Sequence, residues 1–419
     1  MNLKSLLITG SALFFTVNFV RSAPAAAENN CILCHSRLMK KYSTPVELYK
    51  QDIHDQAGIT CSDCHGGDPT LTERHERNDP AQGFLGAPAP QEIPSFCDRC
   101  HGNTQYMRSH NPSLPVDQLV KYRTSMHGKL LFEKRDTRVA NCVSCHGVHN
   151  IRPVKDPASP VYPVNLPQTC ARCHSDKQYM ADYGIPTDQH EKFASSVHGV
   201  ALLEKGDVAA PACNDCHGNH GAIPPEVEHI SQVCGLCHAN NAKLYRGSFH
   251  ASIFEDLETP ECEYCHSNHA IAHPDESFLD TGENATCATC HEQEESDEGF
   301  AVSLRMKNVL DSLSYSISST TRLVEQAEQQ GMEASELRFS LRDIRQSLIE
   351  ARTMVHSFDD DRVREVARTG IELAQQVSAS AKGLLSEHRK RRWWLGGATL
   401  VLLALILGVY LKLREIEGR

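Results

Sequence analysis

The chain has 419 residues, a formal net charge of −11 at pH 7, and 18 cysteines, a length that allows two or three domains. An acidic balance argues against nucleic acid and for solubility or cationic partners. Aromatic residues make up only 6%, thin for a large conventional core, so the even cysteine count points to pairing or to a bound group, which the spacing must decide.

Residues 1–27 read as a secretory signal peptide. Lys4 gives a positive start, residues 6–20 are an apolar run, and Ala23, Ala25, Ala26 and Ala27 offer small-residue cleavage sites ahead of Glu28. An uncleaved anchor is the alternative, but the run is short for a span. Export places the cysteines in an oxidising compartment.

Residues 28–292 hold every cysteine, and each lies in Cys-x-x-Cys-His. The pairs are Cys31/Cys34, Cys61/Cys64, Cys97/Cys100, Cys142/Cys145, Cys170/Cys173, Cys213/Cys216, Cys234/Cys237, Cys262/Cys265 and Cys287/Cys290. The histidines that follow are His35, His65, His101, His146, His174, His217, His238, His266 and His291. Two thiols one helical turn apart reach the two vinyl groups of one haem and form thioethers. The adjacent histidine then becomes the proximal iron ligand. Zinc ribbons and redox disulfides use Cys-x-x-Cys without an obligatory histidine. Nine histidines after nine pairs therefore predict nine covalently bound haem c groups.

The motifs repeat in units. A unit runs Ser-x-His, then Cys-x-x-Cys-His with a second histidine three residues on, then another Cys-x-x-Cys-His. Three copies supply candidate distal ligands at His127 and His149, His198 and His220, and His250 and His269. A looser copy has His54 ahead of Cys61 and His75 after it. The motif at Cys31 stands alone, matching the second half of a unit, and lacks an assigned distal histidine. His110, His190 and His356 are its candidates, or its iron is open. The remaining non-motif histidines of this region are His229 and His273. Bis-histidine ligation favours low potential and electron transfer, whereas an open iron binds substrate. Met107, Met126 and Met180 recur in no unit and read as packing residues.

Residues 298–392 lack cysteine and read as helix. Leu337, Leu341, Ile344, Leu348, Ala351 and Val355 step by four and three, a heptad seam. Val302, Met306, Val309, Leu313 and Ile317 start a similar stripe, and Val363, Val366, Ala374 and Val377 a weaker third. Breaks at Gln330-Gly331 and around residues 357–361 predict three antiparallel helices. The alternative is one long coiled coil in an oligomer. Residues 393–411 carry no charge, begin with Trp393 and Trp394, and are long enough for a transmembrane helix. Residues 412–419 form a short tail, expected on the cytoplasmic side. The expected class is mostly α with extensive loops: repeated two-haem units, a helical bundle or coiled coil, then a C-terminal membrane helix.

Ser-x-His-Gly followed by Cys-x-x-Cys-His-Gly-x-His and another Cys-x-x-Cys-His resembles the multihaem cytochromes c of anaerobic respiratory bacteria, the class III and NapC/NrfH-like superfamily. The matching stretches are 127–174, 198–238 and 250–291, the last with Ser267 in place of glycine, and Cys61 to Thr70 looks like the opening segment of the same proteins. The resemblance implies closely packed bis-histidine haems and links to quinone-pool or terminal-reductase systems. The NapC/NrfH type is anchored by an N-terminal helix, however, whereas the span here is C-terminal. The expected function is electron transfer between a quinone-linked membrane donor and a periplasmic or extracellular acceptor. The haem domain is expected in the periplasm, tethered to the cytoplasmic membrane of a bacterium, with redox protein partners and an oligomer formed through the stalk as an option. No catalytic residue is evident. The alternative is a reductase or oxidase of a small nitrogen or sulfur compound at one open haem.

Overall fold

The computed structural model describes residues 29–222, 230–280, 282, 285–291 and 297–418. The signal peptide expected over 1–27, and His229, lie outside the described residues. Among the described residues the chain is helix and loop without a strand, the mostly α class expected. It falls into two compact units, Met1–Val116 with Arg135–Ser159, and Asp117–Lys134 with Pro160–Arg419. The division runs through the cysteine-rich region and groups its last repeats with the long C-terminal helices.

Most motifs form a short helix, and the backbone just after the histidine differs between two kinds of motif. After His65, His146 and His217 the chain turns left-handed at Gly66, Gly147 and Gly218, with φ of 69°, 79° and 76°. Glycine enters this region without steric cost and ends the helix at once. Ser267 takes the same conformation after His266, at φ 64°. After His101 and His174 the backbone stays right-handed, with φ of −87° at Gly102 and −100° at Ser175. Ser36, after His35, has φ −60°. The leading motif is thus of the second kind by backbone as well as by sequence.

The Ser-x-His-Gly segments begin helices. The Ser125 and Ser196 hydroxyls accept from the Gly128 and Gly199 N–H groups, each at 3.0 Å, as N-caps do. A Cβ on either glycine would lie 1.9 Å from a carbonyl oxygen of the preceding helix, that of Tyr122 or Phe193. Asp52 fills the serine's place in the loose copy. It is 2% exposed and accepts from His54 N, His54 Nδ1 and Ile151 N at 2.8–2.9 Å. Successive repeats interlock through backbone bonds of 2.8 Å, Ile53 N to Ile151 O and Val197 N to Ile271 O.

The C-terminal helices are Glu298–Gln329, Ser335–Met354 and Asp360–Glu417, and each packs against the other two. The breaks fall where the sequence predicts them. Met306, Leu310, Leu313, Leu341, Ile344 and Val363 form the core with Ala367, Ala374, Val377 and Ala381 of the third helix. Small residues on that face let the helices approach closely, and Thr320, buried between them, hydrogen-bonds Ser378 at 2.8 Å. Arg352 pairs with Glu276 at 2.8 Å and Arg305 with Asp360 at 2.9 Å, fixing the bundle to the last repeat and to its own corner. The third helix continues past the bundle into an exposed apolar stretch, and it is long and apolar enough to cross a membrane.

Candidate haem-binding site

The motif histidines and the other histidines meet in pairs. Ring centroids lie 6.0 Å apart in His54–His101 and His65–His149, both in the first unit. In the second unit the separations are 6.0 Å for His127–His174, His250–His291 and His266–His356, 6.1 Å for His198–His238, and 5.8 Å for His217–His269. Metal–imidazole bonds are about 2.0–2.1 Å. Two such bonds in line, plus the depth of each ring, come to roughly 6 Å. Each pair is therefore spaced to hold one iron between two nitrogens, with room for a flat macrocycle. Among the described residues, no group of three or more His, Cys, Asp or Glu converges as a metal-ion site, which is the arrangement a zinc site needs.

Several rings are oriented by their other nitrogen. His35 Nδ1 lies 3.2 Å from Tyr42 O, His65 Nδ1 2.8 Å from Gly86 O, and His291 Nδ1 3.0 Å from Asp297. An Nδ1–H donated this way would leave Nε2 available to a metal. Burial holds His127, His149, His174, His198, His217, His250, His266 and His269 below the ordinary imidazole range. Neutral imidazole is the form that binds a metal.

No disulfide joins the 18 cysteines. Instead, thiols of consecutive motifs meet. Cys97 lies close enough to Cys142 in the first unit for the two thiols to perturb each other, and Cys170–Cys213 and Cys234–Cys262 do so in the second. Cys31 and Cys61, Cys64 and Cys100, Cys216 and Cys234, and Cys265 and Cys287 lie close enough to feel each other's charge. A thioether fixes a haem edge at its sulfur, so haems attached at neighbouring sulfurs would have neighbouring edges. Within each unit the motifs follow one another in sequence order without a gap.

Cys34, Cys145 and Cys173 are placed differently from these junction thiols. Each is the second cysteine of its motif, on the helices Asn30–His35, Cys142–His146 and Leu166–His174, and each is half-buried. Cys34 and Cys145 act on the first thiols of their own motifs, Cys31 and Cys142. The Cys34 and Cys173 carbonyls accept from Arg37 N and Asp176 N, at 3.1 and 3.0 Å, closing the helix ends behind the motif histidines. Their sulfurs thus stand one helical turn from their motif partners, the placement that a second thioether needs. A cleft of about 540 Å³ beside His266, lined by Cys265, Ser267, Phe278 and Thr286, falls within the size range of cofactor sites.

The pairing rule differs from the sequence order. The histidine of Ser-x-His pairs with the second motif of its own unit. The histidine just after a first motif pairs with the first motif of the preceding unit, as His149 does with His65 and His269 with His217. His146 and His220 fall in different units. His356, weighed for the leading haem, faces His266 instead. His75 is exposed on the short helix Arg74–Arg77 and lies in no imidazole pair among the described residues. That stretch is nonetheless close to the leading motif: Asn30 bonds Pro69 O at 3.0 Å and Thr70 O at 2.9 Å, and Arg77 acts on Cys31. His110 is exposed and stacks on Tyr106 at 4.2 Å. His190 is half-buried on the helix Gln189–Ser195.

Sequence reading missed three contributors. Asp52 was detectable, because Asp52-Ile53-His54 aligns with Ser125-Met126-His127. Asp297, which caps the first bundle helix while accepting from His291, and Phe358, stacked on His250 at 3.8 Å, carry no sequence signal.

Residues 53–175 match the family described as cytochrome c3, a stretch with four of the motifs. Residues 233–314 match the family described as cytochrome c554 and c-prime, a stretch with three motifs and the first half of the first bundle helix. Neither a curated protein nor a solved structure matches the chain. Both families bind haem c covalently, and with the paired histidines these two matches support a multihaem cytochrome c whose work is electron transfer.

Proposed function

We propose that the chain carries nine haem c groups and acts as a membrane-anchored electron wire, taking electrons from a quinone-linked respiratory donor and passing them to a periplasmic or extracellular acceptor. The observation that carries this reading is the set of imidazole pairs 5.8–6.1 Å apart on motifs that run in unbroken order within each compact unit. Iron held by two imidazoles exchanges electrons without binding substrate, and imidazole in place of methionine keeps its potential low. The haem supplies the redox chemistry. The protein's part is to fix the edges, hold the rings by their Nδ1 atoms and shield them from water.

In this reading all 18 motif cysteines are thioether positions, with Cys34, Cys145 and Cys173 as the second attachment points of their haems. The proximal ligands are the nine motif histidines. The distal ones are His54, His127, His149, His198, His250 and His269 by pairing. His146 and His220 are taken as ligands on the repeat pattern alone. His75, on the stretch tied to the leading motif, is assigned to the haem at His35. From Asp360 to the start of the apolar segment, the third bundle helix rises about 50 Å at ~1.5 Å per residue. Haems at its head are therefore out of reach of membrane quinol, and a partner subunit must bridge the gap. The haem chemistry and the C-terminal span support the inner membrane as anchor and the periplasm for the haems.

A pyridine haemochrome assay on purified protein should give nine haems per chain, and clearly fewer would sink this account. A second reading, a reductase of a small nitrogen or sulfur compound, rests on His35. Its ring neighbour is Tyr42, edge-on at 6.3 Å, rather than an imidazole. Carbon monoxide added to the reduced protein separates the two: no spectral change means a wire, and one equivalent bound means an open haem.

A further inference from the structure

We infer that His356, at the corner between the second and third bundle helices, is the sixth ligand of the haem at Cys262, Cys265 and His266, so that the helical bundle completes the repeat series as well as leading to the membrane. The inference rests on the bis-histidine reading above.

First motifs take their distal histidine from the next unit, His149 for His65 and His269 for His217. The unit containing His266 has no next unit, since no cysteine follows Cys290. Its donor must come from elsewhere, and His356 stands in the donor's place. Its ring lies 6.0 Å from that of His266 at an interplanar angle of 25°, against 5.8 Å and 16° for His217–His269. Its Nδ1 is 3.0 Å from Thr353 O, which leaves Nε2 toward the iron.

A second, independent equivalence comes from the helices that precede each Ser-x-His. The helix Gln189–Ser195 starts seven residues before Ser196, and Asp188, at its N-cap position, acts on His269. The helix Gln118–Thr124 starts seven residues before Ser125, and Asp117, at its N-cap position, acts on His220. Seven residues before Ser248 stands Asn241, whose Nδ2 lies 3.3 Å from His356 Nδ1. Residues seven or eight positions before the serine therefore face His220, His269 and His356 in turn.

The surrounding corner is built to hold the ring. Phe358 adopts φ 53°, a left-handed conformation that a bulky residue rarely takes, and stacks on His250, the partner of His291. Asp297, at the start of the first bundle helix, accepts from His291. The last two imidazole pairs are thus both held by bundle residues, and the third helix starts two residues beyond Phe358.

The test uses the full chain in detergent. His356→Gly should keep nine haems by haemochrome but convert one from low to high spin, and should bind one more equivalent of carbon monoxide than the parent. Added imidazole should restore the low-spin spectrum. His356→Met should keep that haem six-coordinate at a raised potential, which covers the case where the glycine variant fails to mature. His273→Gly, an exposed histidine, should change none of these readouts. A His356→Gly protein with nine haems, no new high-spin signal and no added carbon monoxide would overturn the assignment while leaving the wire intact. A parent protein without bis-histidine spectra would instead overturn the underlying reading.

Discussion

Gly199→Ala tests whether the Ser-x-His-Gly sequence exists to bring an imidazole to an iron. A Cβ at Gly199 would lie 1.9 Å from Phe193 O, and Gly128 stands in the same relation to Tyr122 O. Ordinary C···O contacts begin near 3.3 Å, so the helix carrying His198 must retreat by about 1.4 Å or distort. Metal–ligand bonds tolerate only about 0.2 Å, which is several times less. The His198 side then loses its iron, and overpacking of this size adds roughly 1–3 kcal/mol of destabilisation. Reduced-minus-oxidised spectra, electron paramagnetic resonance and carbon monoxide titration should show one new five-coordinate haem, at Cys234 and Cys237. Ala251 occupies the same position in the third copy, where no Ser248 side-chain cap forms, so Ala251→Gly should leave ligation unchanged. An unaltered low-spin spectrum in Gly199→Ala would refute the reasoning, since no other group is expected to replace His198.

Four further outcomes follow from the same structure. His75→Gly should open the haem at His35 to one equivalent of carbon monoxide, with a parent protein that binds none. Leu313→Ala, at a fully buried bundle position, should cost about 2–5 kcal/mol in denaturant unfolding followed by helical circular dichroism, with the haem count unchanged. The Arg305 guanidinium hydrogen-bonded to Asp360 holds that carboxyl below its ordinary range, against some opposing desolvation. A carboxyl whose pKa is lower in the folded state adds stability above its unfolded pKa and loses it as pH falls through the folded one. Bundle stability should therefore drop below the usual carboxylate range, and Arg305→Met should remove that part of the acid dependence. A chain stopped after residue 392 should partition into the aqueous phase with its haems retained, whereas persistent membrane association would count against the C-terminal helix as anchor.

Local chemistry made much of this protein legible in its sequence. Thioether attachment is confined to five consecutive residues, so Cys-x-x-Cys-His states its purpose wherever it occurs. The heptad stripes around Leu341 and Met306, with Gly331 and Asp359 at the breaks, likewise specify helices and their ends from neighbours three and four residues away. The apolar stretch from Trp393 needs only length and composition. Tertiary structure decided which imidazole faces which. A sixth ligand reaches its partner through packing, at a separation of 84 residues for His65 and His149 and 90 for His266 and His356. Nothing in the local sequence marks that His149 serves the preceding unit rather than its own. Position in a repeat pointed to a common role for His127, His198 and His250, because a serine two residues ahead travels with each of them. It could not show that a histidine at a helix corner, 65 residues beyond the last motif, would take the place of a missing repeat. That follows only from how the bundle folds back, with Phe358 and Asp297 gripping the final pair and Asn241 facing His356.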